Sequence, residues 1–292
     1  MTILLFGAAG QVGQELTALA NRRGVPLVAL SRAEGDIADP DRVQAALARI
    51  NPSVVVNAAA YTKVDKAESE ADEAYRANCI GPGVLAEASA VAGIPLIHLS
   101  TDYVFDGTKA TAYTEDDLVA PLGVYGHTKE AGERAVRAAN AHHIILRTSW
   151  VYGVYGANFL KTMMRLSGER DELRVVADQR GNPTATADIA EGILAVINRM
   201  GNGDAVPWGT YHLTGTGATT WHGFAQEIVA ACGRATTVTA IATHEYPTPA
   251  RRPANSELDG QRFRTAFGYA PAPWQDRTRA VVAALLHQQT GQ

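Results

Sequence analysis

The most constraining feature of this chain is a rhythm in its first half. Short, unbroken apolar runs at residues 3–6, 27–30, 54–56, 96–99 and 144–146 alternate with amphipathic stretches at 11–23, 41–50, 70–92 and 123–139. A strand with one wet face alternates apolar and polar residues, whereas an unbroken run suits a strand covered on both faces. Strand and helix in regular succession imply right-handed crossovers, so the sequence predicts an α/β fold with a doubly wound parallel sheet of Rossmann type. Beyond Trp150 the rhythm loosens, with Gly153, Gly156, Gly181 and Pro183 as punctuation. There the pattern predicts a helix at 188–200, a late strand at 209–213, a helix at 221–231, a Pro/Arg-rich loop at 247–255 and a terminal helix at 277–288.

Composition narrows the function classes. The 292 residues are 46% hydrophobic and 19% charged, which is ordinary for a folded domain with a large core. A net charge of -4 gives no basic excess for nucleic acid. No apolar run reaches the roughly 18 residues of a membrane span, so neither nucleic acid nor membrane is an expected partner. Met1, Thr2 and Ile3 form no charged leader, and Cys79 and Cys232 are too few for a disulfide framework or a four-cysteine zinc site. A cytoplasmic location is the expectation.

The first run leads into Gly7, Ala8, Ala9, Gly10, Gln11, Val12 and Gly13, followed at once by a helix. Glycines there permit a sharp turn and a close backbone approach to a pyrophosphate, which the positive end of the helix attracts. The spacing is G-x-x-G-x-x-G. Between a first strand and a first helix it predicts a dinucleotide site. Residues 1–150 are read as the dinucleotide-binding domain, with 181–215 returning to it. Residues 151–180 and 216–292 are read as a smaller C-terminal substrate lobe. At the end of the second strand stand Ser31 and Arg32, with Glu34 and Asp36 displaced further on. A hydroxyl and a guanidinium suit a 2′-phosphate, so NADPH is favoured, with NADH as the alternative.

Tyr125 and Lys129, in Y-G-H-T-K, fall one helical turn apart and share a face. An ammonium beside a phenol is expected to lower the phenol pKa and ready it for proton exchange. The fourth strand ends in Leu99, Ser100, Thr101 and Asp102, on the sheet edge where such folds bind ligands. His98, His127 and His212 are read as packed or solvated rather than as ligands.

Thr101, Tyr125 and Lys129 together resemble the catalytic triad of the extended short-chain dehydrogenase/reductase superfamily. The stretches LLFGAAGQVGQEL, VVNAAAYTKVDKAE, LSTDYVFDG, YGHTKEAGE, RTSWVYG and RPANSELD, from Leu4 to Asp259, resemble the dTDP-4-dehydrorhamnose reductase family in order and spacing. The resemblance implies reduction of the C4 keto group of a dTDP-4-keto-6-deoxysugar, with Tyr125 as general acid. It implies that Gly7, Gly10, Gln11, Val12 and Gly13 line the pyrophosphate. Asp36 and Ile37 would lie near the adenine, and Ala60, Tyr61 and Thr62 near the nicotinamide. Lys129 would bind the nicotinamide ribose. Asp102, Tyr103 and Trp150 would contact the deoxysugar nucleotide, and Arg252 and Asn255 its nucleotide end.

Some members of that family hold magnesium. Glu15, otherwise an exposed helix residue, matches one such position and Asp188 a second; with no third acid, no metal is assigned. A homodimer is left open. Other readings are a reductase of another dTDP-4-keto sugar, such as a dihydrostreptose synthase, and a non-catalytic regulatory subunit of the same fold. A dehydratase is disfavoured, because Tyr103 follows the Thr-Asp pair where dehydratases carry an acid.

Overall fold

The five apolar runs become five strands of one sheet in the computed structural model, which describes residues 1–202 and 205–289. The first half runs β1 (Ile3–Phe6), α1 (Gln11–Arg23), β2 (Leu27–Leu30), α2 (Pro40–Ile50), β3 (Val54–Asn57), α3 (Val64–Ala67), α4 (Ala71–Tyr75), α5 (Gly81–Val91), β4 (Leu96–Thr101), α6 (Val124–Ala139) and β5 (His143–Thr148). The rest adds β6 (Val151–Tyr152), α7 (Phe159–Leu166), β7 (Glu172–Val176), β8 (Arg180–Gly181), β9 (Thr184–Ala185), α8 (Thr186–Gly201) and β10 (Gly209–His212). It closes with β11 (Thr219–Thr220), α9 (Trp221–Ala231), β12 (Thr237–Ile241), β13 (Asn255–Ser256), α10 (Gln261–Phe267) and α11 (Trp274–Gln289).

The main sheet has the order β10-β5-β4-β3-β1-β2 and every pairing in it is parallel. Successive residues of β1 serve opposite faces. Ile3 and Leu5 pack with Leu16 and Leu19 of α1 and Ile189 and Ile193 of α8. Leu4 and Phe6 pack with Val43 and Leu47 of α2 and Leu85 of α5. That is why the run carries no polar residue. A separate core joins Leu160 and Met163 of α7, Phe224 and Ile228 of α9, and Trp274 and Val282 of α11. Among the described residues, no helix is long and apolar enough to cross a membrane.

Two sequence expectations need correction. The stretch at 70–92 is interrupted by a π-helical turn, Arg76–Ile80, between α4 and α5. The second half also holds elements that the rhythm did not reveal: β7 pairs in parallel with β12, and α10 precedes the terminal helix. β7 alternates exposed and buried residues, and three central residues of β12 are at least partly exposed. A search for unbroken apolar runs finds strands buried on both faces and passes over such half-covered pairs.

Helix α6 is fastened to the sheet by buried charge. Glu133 has no exposed surface. Its carboxylate accepts from Ser100 Oγ of β4 at 2.6 Å, Arg147 Nε and Nη2 of β5 at 2.9 and 2.7 Å, and Arg137 Nη1 at 2.9 Å. Removing one member of such a pair strands the other charge in a dry interior. We predict that Glu133→Ala lowers the unfolding free energy by about 3–5 kcal/mol in urea titrations. Glu169→Ala, at the exposed Arg165–Glu169 pair, should change it by less than about 1 kcal/mol. A loss at Glu133 no larger than that at Glu169 would contradict the anchoring role.

Candidate active site

The C-terminal ends of β1, β3 and β4 share one edge of the sheet, at the reversal of strand order where such folds open a crevice. Gly7 has φ +91, and a Cβ there would stand 2.5 Å from Ala59 N. A Cβ on Gly13 would stand 2.1 Å from the Gly7 carbonyl oxygen. These two positions admit only glycine, and they seat the start of α1 directly over the strand ends. The resulting cavity, about 420 Å³, is lined by Gly7, Gly10, Arg32, Asp36, Ile37, Ala60, Tyr61 and Thr62. A backbone cradle closed to any side chain, at a helix N-terminus, fits a dinucleotide pyrophosphate. Gln11 and Val12 line the next cavity instead, and Gly13 serves packing rather than the wall.

Ser31 is not on that wall. Its backbone N–H and its hydroxyl both donate to the Glu34 carboxylate, at 2.9 and 2.7 Å, folding this acid back on its own loop. Those bonds hold the Glu34 carboxyl below the usual range. Arg32 pairs with Glu73 at 2.7 Å, and Asp36 with Arg76 at 2.8 Å.

The second cavity, about 530 Å³, is walled by Thr101, Asp102, Tyr103, Tyr125, Lys129 and Trp150, and shares Ala9, Gly10 and Ala60 with the first. Thr101 Oγ1 donates to Asp102 Oδ1 at 2.9 Å and accepts from the Tyr103 N–H at 3.2 Å. The Tyr125 ring meets Tyr103 edge-on at 5.5 Å and lines the same cavity as Thr101. Lys129 Nζ donates to the Leu99 carbonyl at 2.7 Å. The expected lowering of the Tyr125 pKa is not what this arrangement produces. Burial pushes the phenol up, with the Thr101 hydroxyl opposing. Burial also pulls Lys129 down to about 8, with Glu133 one turn further along α6 opposing. Asp102 is pushed up to about 6 by burial, against hydrogen bonds from Ser256 and Thr101, and its Oδ2 is buried without a partner.

Trp150 joins β5 to β6 with φ 47, a left-handed conformation that costs a large L-residue about 1–3 kcal/mol. Its ring stacks on Trp221 at 3.7 Å, which holds it on the cavity wall rather than in the core. A third cavity, about 540 Å³, shares Val64 and Tyr103 with the second and adds Trp221, Phe159, Arg170, Arg174 and Arg252. Arg252 Nη2 donates to Asp65 at 2.8 Å, and its guanidinium lies 5.8 Å from the Tyr103 ring centre. Its Nη1 is buried without a partner.

Asn255 lies apart from all three cavities. Its Nδ2 donates to the carbonyls of Lys109 and Thr111, and its Oδ1 accepts from the Glu257 N–H, so the amide is consumed in fixing a loop. Glu15 is buried rather than exposed, and accepts from Thr186 Oγ1 at 2.9 Å. Asp188 is fully buried against Arg277 and Tyr269. These acids are committed elsewhere, and among the described residues no group of three or more His, Cys, Asp or Glu could hold a metal. His98 and His212 are buried and His127 exposed.

Three contributors escaped the sequence reading. Asn78, turned inward by the π-helical segment, accepts from the Tyr61 N–H at 2.8 Å and donates to the Tyr61 carbonyl and Thr128 Oγ1, each at 3.1 Å. It ties the loop after β3 to α6. Asp65 and Trp221 complete the far cavity; Asp65 stands within VVNAAAYTKVDKAE but its partner Arg252 lies 187 residues away, and Trp221 opens a helix with no local motif to mark it.

Comparison with known proteins gives the family and the fold. The family described as RmlD substrate binding domain matches residues 1–287. A dTDP-4-dehydrorhamnose reductase of Sinorhizobium fredii is 45% identical over 98% of each chain. The crystal structure of a Clostridium acetobutylicum dTDP-4-dehydrorhamnose reductase is 39% identical, covers 98% of this chain and 100% of that one, and superposes with a TM-score of 0.93. A Bacillus anthracis dTDP-4-dehydrorhamnose reductase, solved in complex with NADP, is 36% identical over 97% of this chain and 100% of that one, with a TM-score of 0.90. The chain belongs to the RmlD substrate binding domain family, that of the dTDP-4-dehydrorhamnose reductases.

Proposed function

We propose that this chain reduces the C4 keto group of dTDP-4-dehydro-L-rhamnose to give dTDP-L-rhamnose, with NADPH as reductant and NADH as the alternative. One observation carries the reading: the cavity of Thr101, Tyr125 and Lys129 shares a wall with the glycine crevice on one side and with the Arg252 cavity on the other. A dinucleotide and a nucleotide sugar could therefore meet end to end across Tyr125. The names and coverage of the relatives support the same substrate. Residues 1–150 with 181–215 would bind the dinucleotide, and 151–180 with 216–292 would cover the sugar nucleotide; of these, 203, 204 and 290–292 lie outside the described residues. Two free cysteines and a nucleotide-sugar substrate suit the cytoplasm.

A bound reduced nicotinamide supplies the hydride. The chain's own groups manage the charge and proton that follow. Thr101 Oγ1 is placed to hydrogen-bond the C4 oxygen, and Tyr125 to deliver its phenolic proton there. The phenol holds its proton at neutral pH, as an ordinary tyrosine does, and the upward push of burial makes it a weaker donor that a neighbouring positive charge must offset. The Lys129 ammonium, on the same helical face, offsets the phenolate left behind. The Asp102 carboxylate, with a spare oxygen beside Thr101, suits a sugar hydroxyl. The spare Arg252 N–H suits the diphosphate, and Phe159 and Trp221 offer flat faces to the base.

A coupled assay following nicotinamide absorbance with dTDP-4-dehydrorhamnose tests the reading. Folded protein that shows no oxidation above background contradicts it. Tyr125→Phe should lower kcat about a hundredfold to ten-thousandfold while NADPH still binds. Lys129 bears its charge below about 8, so kcat/KM should fall as pH rises through that value. Lys129→Met should remove that limb from the pH profile along with most turnover; an unchanged limb would assign it to another group.

A further inference from the structure

We propose that Glu73, at the far wall of the glycine crevice, sets how strongly this chain prefers a 2′-phosphorylated dinucleotide. The inference rests on the proposed use of NADPH or NADH and concerns the adenosine end of that site. Three cations, Arg32, Lys63 and Arg76, face three carboxylates, Asp36, Glu70 and Glu73, around the cavity at the end of β2. The two arginine pairs differ in kind. Arg76 and Asp36 meet at 2.8 Å, and Asp36 is held again by the Ala38 N–H at 3.0 Å. Arg32 and Glu73 meet at 2.7 Å with side chains 67% and 42% exposed. The first pair is fixed by a backbone bond, and the second is free to open.

Of the two acids in the β2 loop that could grip a ribose hydroxyl, Glu34 is turned away onto Ser31, and Asp36 is held by Arg76 and the Ala38 N–H. Little in this loop therefore selects positively for an unphosphorylated ribose. Selection falls to Arg32, the cation at the strand end, which suits a 2′-phosphate. Glu73 acts on that choice from α4. It neutralises Arg32 when the ribose bears only a hydroxyl. It also competes with a 2′-phosphate for the guanidinium and repels the phosphate charge. Its carboxylate thus narrows the gap between the two cofactors.

Isothermal titration calorimetry of the full chain with NADPH and with NADH, at low and high salt, tests this. Glu73→Gln should raise the ratio of the NADH to the NADPH dissociation constant by about threefold to tenfold at low salt, and by less at high salt. Arg32→Gln should lower the ratio, and adding Glu73→Gln to it should have a smaller effect than in the unaltered chain. A ratio that is unchanged or falls in Glu73→Gln, with both dinucleotides still bound, overturns the role of Glu73 and leaves the proposed function standing. Failure of the unaltered, folded chain to bind either dinucleotide overturns both.

Discussion

Four hydrogen-bond donors converge on the Glu133 carboxylate from β4, β5 and α6 itself. This buried cluster determines how α6 lies against the sheet, and α6 carries the two side chains on which the chemistry depends. Tyr125, Lys129 and Glu133 occur at intervals of four residues, so a single helical face presents an acid, a cation and an anchor in line. Ser100, bonded to the anchor, is the neighbour of Thr101. A shift of α6 by one turn would break the charge cluster before it moved the phenol from the threonine. The geometry of the site is thereby tied to the stability of the fold.

That coupling also explains the electrostatics. Tyr125 and Lys129 are both buried, and burial disfavours the charged form of each: it raises the phenol and lowers the amine. Sequence reasoning weighed only the attraction between ammonium and phenolate and so expected the opposite shift for Tyr125. The Lys129 bond to the Leu99 carbonyl directs the ammonium to the strand, and desolvation then dominates. The proton needed at C4 is on the phenol at neutral pH with or without this shift, and burial makes its release harder, so donation depends on the Lys129 charge to offset the phenolate.

The parts legible in the sequence were those with local or periodic signatures. Unbroken apolar runs announced the parallel strands, and Gly7 and Gly13 announced a sharp turn, which packs so closely on the backbone of Ala58, Ala59 and Gly7 that a Cβ at either position would clash. Trp150 was legible as a position, though its strained backbone and its stack on Trp221 were not. Asn78, Asp65 and Glu73 act across elements distant in sequence; Asp65 stands inside a family-like stretch, yet nothing local marks the partner that any of the three meets. Asn255 shows the converse: it matches a motif, yet its amide is spent on loop carbonyls. Glu15 looked exposed because a lone acid on a helix usually is; its partner, Thr186, lies 171 residues away.

The central claim is that the reactive end of a bound dinucleotide faces a sugar carbonyl across Thr101 and Tyr125. The most direct measurement is mass spectrometry and NMR of the product formed from dTDP-4-dehydrorhamnose and NADPH deuterated at both C4 positions of the nicotinamide. The account predicts one deuterium, carried on C4 of the sugar. A product without deuterium, or with the label on another carbon, would contradict it.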